Sequence, residues 1–189
     1  MPYPTQLLPG RSALLVIDVQ EKLMVKIPSA QMVIRNIAFL IDAAKLLEVP
    51  VSATEQYPKG LGPTVPALID KLPERPEKLA FSSCAVPAVV EGFRAANRTQ
   101  ILVAGIESHV CVLHTTFDLL SAGFQVFLPV DALASRYPLD HETALRRLEK
   151  AGAVLTTTET TAFEWVGGAS HPKFKQISSL VQERMKAMG

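Results

Sequence analysis

Two cysteines in a chain of 189 residues, Cys84 and Cys111, are too few for a disulfide framework and show no paired spacing for a zinc site. With no C-x-x-C element, a thioredoxin-like redox role loses its motif as well. Net charge is only +1, with Lys and Arg spread along the chain. The basic stripe that nucleic-acid binding wants is therefore missing. No apolar run approaches the about 20 residues needed to span a bilayer. The opening "MPYPTQLLPGRS" lacks the charged-then-apolar order of a signal peptide. The expectation is a cytoplasmic protein with no nucleic-acid and no membrane partner. No G-x-G-x-x-G follows the first apolar run, which removes a dinucleotide-binding reading. No histidine occupies an obvious base position, which argues against a papain-like Cys–His pair.

What the chain does have is 48% apolar residues and 20% charged ones, the balance of a folded globular protein. A length of 189 residues fits one domain, 1–189, able to bury a full core. Short apolar runs alternate with helical patterns. "ALLVID", Ala13–Asp18, reads as a buried strand because it is short, β-branched and uninterrupted. Ala30–Leu47 carries Val33, Ile37, Leu40, Ile41, Ala44 and Leu47 at the spacing of one helix face. "VPVSAT" restarts a strand, "EKLAFSS" is a weaker one, and "VPAVVEGFRAAN" is a helix. "TQILVAG" is a strand, followed by the helix "ESHVCVLHTTFDLLSAG", on which Val110, Leu113, Phe117 and Leu120 share a face. "FQVFLPV" and "AVLTTT" are strands flanking the helix "LDHETALRRLEKAG", and a helix over Pro172–Met188 closes the chain. Buried strands alternating with helices predict an α/β, three-layer doubly wound fold: a six-stranded parallel sheet with helices on both faces.

Three reactive side chains fall at or beside strand ends: Asp18 closing "LLVID", Lys78 opening "KLAFSS", and Cys111 following "ILVAG". Singly each has a plain explanation. An Asp ending a strand is commonly a cap, a lone Lys a solvated charge, and a free Cys a small core hydrophobe. Together they make sense as nucleophilic chemistry. Thiolate, not thiol, attacks a carbonyl carbon, so the sulfur needs a proton acceptor and a positive field. Asp18 can take the proton and Lys78 can favour both anions. The N-terminus of the helix carrying Cys111 is expected to lower the thiol pKa further.

The pieces "LLVIDVQEKL" (Asp18, Gln20), "KLAFSSC" (Lys78), "VAGIESHVCV" (Gly105, Cys111) and "GFQVFLPVDALASR" (Gly123–Arg136) occur in that order. In this the chain resembles the isochorismatase-like cysteine hydrolases, the superfamily that includes nicotinamidase and N-carbamoylsarcosine amidohydrolase. The closest likeness is to the uncharacterised isochorismatase-domain proteins. The resemblance implies a catalytic triad of Asp18, Lys78 and Cys111, with a thioester formed on Cys111. It also implies an oxyanion hole from the backbone N–H groups of Glu107 and Cys111, a cis peptide between Ile106 and Glu107, and a homo-oligomer of two or more copies.

Nicotinamidases of this superfamily commonly hold a metal through an Asp-x-His element after the second strand. Here "TEQYPKG" puts Gln56 and Pro58 at those places. The expectation is a site with no metal and no cofactor, acting on a small-molecule amide, carbamoyl or related compound. Pocket walls are expected from Leu23, Glu55, Gln56 and Tyr57. Cys84, where family members often carry an aromatic, is read first as a packed small residue that also lines the pocket. Two other functions fit less well. A vinyl-ether hydrolase of the isochorismatase type would not need Cys111, and a non-catalytic binding or scaffold protein would not need the triad.

Overall fold

The computed structural model describes residues 5–188. Residues 1–4 of the stretch read for a leader, and residue 189 of the single domain, lie outside it. Strands β1 (Ser12–Ile17), β2 (Val51–Gln56), β3 (Glu77–Lys78), β4 (Gln100–Ile106), β5 (Gln125–Pro129), β6 (Leu133–Ala134) and β7 (Val154–Thr156) form one sheet. Its order is β3-β2-β1-β4-β5-β7, every pairing is parallel, and β6 pairs with β4. The expected six strands become seven because β6 is only two residues long, below what periodicity can register.

Strand β1 is buried along its whole length, yet its side chains divide between two cores by the two-residue period of a strand. Leu14 and Val16 join Leu102, Ala104 and Phe127 on one face. Ala13, Leu15 and Ile17 join Ile101, Val103 and Val126 on the other. Each Val, Leu, Ile or Phe among them contributes about 1.5–3 kcal/mol on burial. The first face is covered by α2 (Ala30–Leu46), α8 (Thr158–Val166) and α9 (Phe174–Met188), and the second by α5 (Pro87–Ala95), α6 (Cys111–Ser121) and α7 (Pro138–Lys150). Three short helices, α1 (Glu21–Met24), α3 (Pro58–Leu61) and α4 (Pro66–Ile69), lie after β1 and β2.

Helix α2 buries Val33, Ile37, Leu40, Ile41 and Ala44 as its spacing predicts. Helix α6 differs. It buries Val112, Thr115, Thr116 and Leu119 together with Leu113, whereas Val110, Phe117 and Leu120 are half-buried at the core's edge. Val110 precedes the helix with non-helical angles, φ −122° and ψ −93°, so it does not continue the helical row. The Thr-rich helix α8 carries no strong apolar period and escaped the sequence pattern; Thr157 caps it by accepting from the Thr160 N–H.

The chain runs from β1 outward to β2 and β3, then returns to lay β4 on the other side of β1. The order reverses between β1 and β4, and the C-terminal ends of those two strands open the crevice where α/β sheets bind ligands.

Candidate active site

Asp18 follows the last residue of β1 with a left-handed φ of 54°. Its N–H still bonds to the Thr54 carbonyl at 3.2 Å, while its carboxylate is fully buried. Thr54 Oγ1 donates to Asp18 Oδ1 at 2.9 Å, and Lys78 Nζ donates to Oδ2 at 2.6 Å. Lys78 ends β3, and the chain beyond it leaves the expected strand, folding the Phe81 carbonyl back to accept from Nζ at 2.9 Å. Nζ donates its third proton to Gln56 Oε1 at 2.7 Å. All three ammonium protons are thus committed.

Cys111 is the first residue of α6. Its thiol donates to Gln56 Oε1 at 3.9 Å and lies close enough to Asp18 and Lys78 for both charges to act on it. Asp18, Lys78 and Cys111 therefore meet, with Gln56 touching two of them. Gln56 and Thr54 share one face of β2, two residues apart, and both reach the cluster. Glu55 between them faces the other way. Its carboxylate takes the Thr64 N–H and hydroxyl and the Arg75 guanidinium. Burial works against that charge, but the Thr64 and Arg75 bonds hold the carboxyl below its usual range.

Burial pushes the Asp18 carboxyl up, outweighing the lowering by Lys78, Cys111 and Thr54. Burial and then the Asp18 charge push the Cys111 thiol up to about 12, against Lys78. Burial and the Asp18 charge outweigh any lowering by the helix terminus, so at rest the sulfur holds its proton. The cause is charge crowding in a dry site, where one carboxylate already balances one ammonium and a thiolate would be a second anion. Moving the thiol proton to Asp18 leaves the net charge unchanged, so the same site can accept that step.

The Ile106–Glu107 peptide is cis, as the resemblance implied. The Glu107 carbonyl accepts from the Val110 and Val112 N–H groups, and Ser108 N donates to the Ala134 carbonyl. Among the described residues the N–H groups of Glu107 and Cys111 have no protein acceptor. The Glu107 carboxylate accepts from the Arg136 N–H and Nε, each at 3.0 Å. Two Ser–His contacts close the same seam, Ser108 Oγ to His141 Nδ1 at 2.8 Å and His109 Nδ1 to Ser135 Oγ at 2.9 Å. Burial holds the His141 imidazole below its usual pKa.

Leu23 is half-buried and packs on the α2 core. Tyr57 is exposed, with φ 37°, and its ring lies over Gly60 so closely that any Cβ there would collide with it. Cys84 Sγ sits 3.9 Å from the Thr115 carbonyl, one turn along α6 from Cys111, and burial pushes its thiol up to about 11. Its neighbour Ser83 is the residue that reaches the site, through Thr54 Oγ1 at 3.0 Å, and it is tied by its N–H to Thr115 Oγ1 at 2.9 Å. Sequence reasoning missed Thr54, Ser83 and Thr115. Thr54 had a signal, two residues before Gln56 on one strand face; Ser83 and Thr115 had none.

A metal at the Asp-x-His place does not fit. Gln56 is a neutral ligand whose oxygen already faces an ammonium, and Pro58 has no donor side chain. Among the described residues no three His, Cys, Asp or Glu side chains are grouped to hold a metal.

The Isochorismatase domain family model matches residues 12–160. Isochorismatase domain-containing protein 2 of Macaca fascicularis is 42% identical over 183 residues, covering 96% of this chain and 88% of its own length. The structure of MAR1 ribonuclease from Caenorhabditis elegans is 44% identical, covers 94% of this chain and 93% of that one, and superposes with a TM-score of 0.88. The YcaC gene product of Escherichia coli, an octameric hydrolase of unknown specificity, is 25% identical over 100% of this chain and 96% of that one, with a TM-score of 0.85.

Proposed function

This chain belongs to the isochorismatase family and has the family's hydrolase fold, and from that premise we propose that it hydrolyses a small amide or carbamoyl compound through a thioester on Cys111. The observation that carries this reading is the buried Asp18–Lys78 ion pair, with the Cys111 thiol close enough for both charges to act on it.

In the proposed cycle Asp18 takes the Cys111 proton as sulfur attacks the carbonyl carbon. The raised carboxyl pKa makes Asp18 a better base than an exposed carboxylate. Lys78, with its protons committed to Asp18, Gln56 and Phe81, acts as a fixed positive charge and not as a proton donor. The carbonyl oxygen, now an anion, settles on the open N–H groups of Glu107 and Cys111. Donors of this kind are worth about 10²–10³ in turnover. The C–N bond breaks as Asp18 returns the proton to the departing amine. Water then attacks the thioester, Asp18 accepts its proton, and the thiolate leaves and is reprotonated by Asp18.

The donor set supports a reaction without metal or cofactor, since two N–H groups polarise the carbonyl and Asp18 moves the proton. The octameric bacterial relative supports a homo-oligomer, and the cytoplasm is the proposed compartment. The test is a panel of small amides, carbamates and esters, with a short RNA as the contrasting arm because one relative bears a ribonuclease name. Turnover of a small amide that survives dialysis against chelator, with RNA left intact, is the expected result. Turnover of RNA alone, or loss on chelation with recovery on adding zinc, contradicts it.

A further inference from the structure

Gln56 is fixed more firmly than a pocket wall requires. Its backbone N–H donates to Gln20 Oε1 at 2.7 Å, and its carbonyl accepts from Gln20 Nε2 at 3.0 Å. Gln20 is itself buried and also binds the Gly62 carbonyl at 2.7 Å. The side-chain amide donates from Nε2 to the Leu79 carbonyl at 2.8 Å and accepts at Oε1 from Lys78 at 2.7 Å. This pattern admits one orientation. Turned over, the amide would set its NH₂ against the Lys78 ammonium and its oxygen against the Leu79 carbonyl. A carbonyl oxygen is therefore held facing the Cys111 sulfur, 3.9 Å away.

We propose that Gln56 is a positioning residue that retains the Cys111 thiol in its protonated, resting rotamer and releases the sulfur toward substrate once it ionises. A carbonyl oxygen accepts from S–H and repels S⁻, so the two protonation states see opposite forces from one fixed atom. Lys78 favours the thiolate, but the amide it holds cannot rotate to offer its NH₂. On losing its proton the sulfur is pushed off Oε1, and the carbon to be attacked is its alternative partner. The same contact keeps the free thiol unreactive toward adventitious electrophiles. The proposal rests on Cys111 being the nucleophile.

The test compares alkylation of Cys111 by iodoacetamide at one mildly alkaline pH, read by peptide mass spectrometry, in the full-length protein and in Gln56→Met and Gln56→Glu. Met keeps the length and loses the strong acceptor, so the expected rate rises about tenfold, the thiolate gain of one pKa unit. Glu adds a second carboxylate beside the sulfur, so the rate falls about tenfold. Amide turnover falls in both, because Lys78 loses its neutral anchor. Each variant has its own sign, so one that fails to fold, seen by a lost thermal transition, leaves the other to decide. Unchanged rates, or the reverse sign in a folded variant, overturn the proposal. Hydrolysis surviving in Cys111→Ser would sink the thioester reading, whereas the alkylation rates, taken without substrate, judge Gln56 alone.

Discussion

The Asp18 carboxylate and the Lys78 ammonium form an ion pair 2.6 Å long, with both side chains shut away from solvent. Such a pair is a poor source of net stability, because desolvation offsets its attraction, but breaking it leaves a buried charge alone. Lys78→Met should reduce turnover by about 10²–10³ and destabilise the fold by about 3–5 kcal/mol near pH 8. The deficit should shrink with acid. Losing Lys78 removes a lowering influence, so the already raised Asp18 carboxyl rises further. A carboxyl whose folded pKa exceeds its unfolded value adds stability below that unfolded value and loses it as pH rises through the folded one. Urea unfolding of both proteins at mildly acidic and mildly alkaline pH checks the sign.

The hydroxyl of Thr54 should tune the acid limb of activity. It donates to Asp18 and accepts from Ser83, so it favours the ionised carboxylate. Thr54→Val removes that donor at nearly the same volume. The limb of kcat/KM on which Asp18 must lose its proton should move to higher pH, by about one unit, with little change on the alkaline side. A pH–rate profile reads both limbs.

Gly105 should tolerate no side chain. It pairs with Ile17 across β1 and β4 at φ 123°, and a Cβ would run into the Ile17 carbonyl oxygen and come within 2.8 Å of its N. The colliding atoms are backbone and cannot swing aside. Gly105→Ala should cost about 3 kcal/mol or more in a chemical melt, and should cut turnover in whatever fraction stays folded, because Asp18 follows Ile17 directly.

Glu107 is expected to act through its N–H. Its carboxylate is occupied by the Arg136 N–H and Nε, outside the proton chemistry. Glu107→Gln preserves an oxygen acceptor for both donors, so kcat should fall less than about tenfold, against the about 10²–10³ of a lost oxyanion donor. Steady-state kinetics at the pH optimum separates the two sizes.

The sheet was legible because "ALLVID" and "TQILVAG" are short, apolar and uninterrupted, and strands buried on both faces have that composition. Asp18, Lys78 and Cys111 could be paired with strand ends for the same reason. Gln56 was placed near the site by its loop, but its bond to Lys78 could not be read, since β3 ends at Lys78 and the chain folds back where a strand was expected. Ser83 joins the cluster through a contact of |i−j| 29 with Thr54, which no local pattern encodes. The thiol's high pKa was misjudged because helix termini are visible in a sequence and burial is not.

The reaction of Cys111 itself tests the account most directly. Rapid quenching of turnover with a hydrolysed amide, followed by intact-mass and peptide analysis, should reveal an added acyl group on Cys111 that hydroxylamine removes. Asp18→Asn should fail to build that adduct, and Cys111→Ser should carry none. Turnover that continues undiminished in Cys111→Ser, with no acyl group on the wild-type sulfur at any time point, would contradict a thioester mechanism at this site.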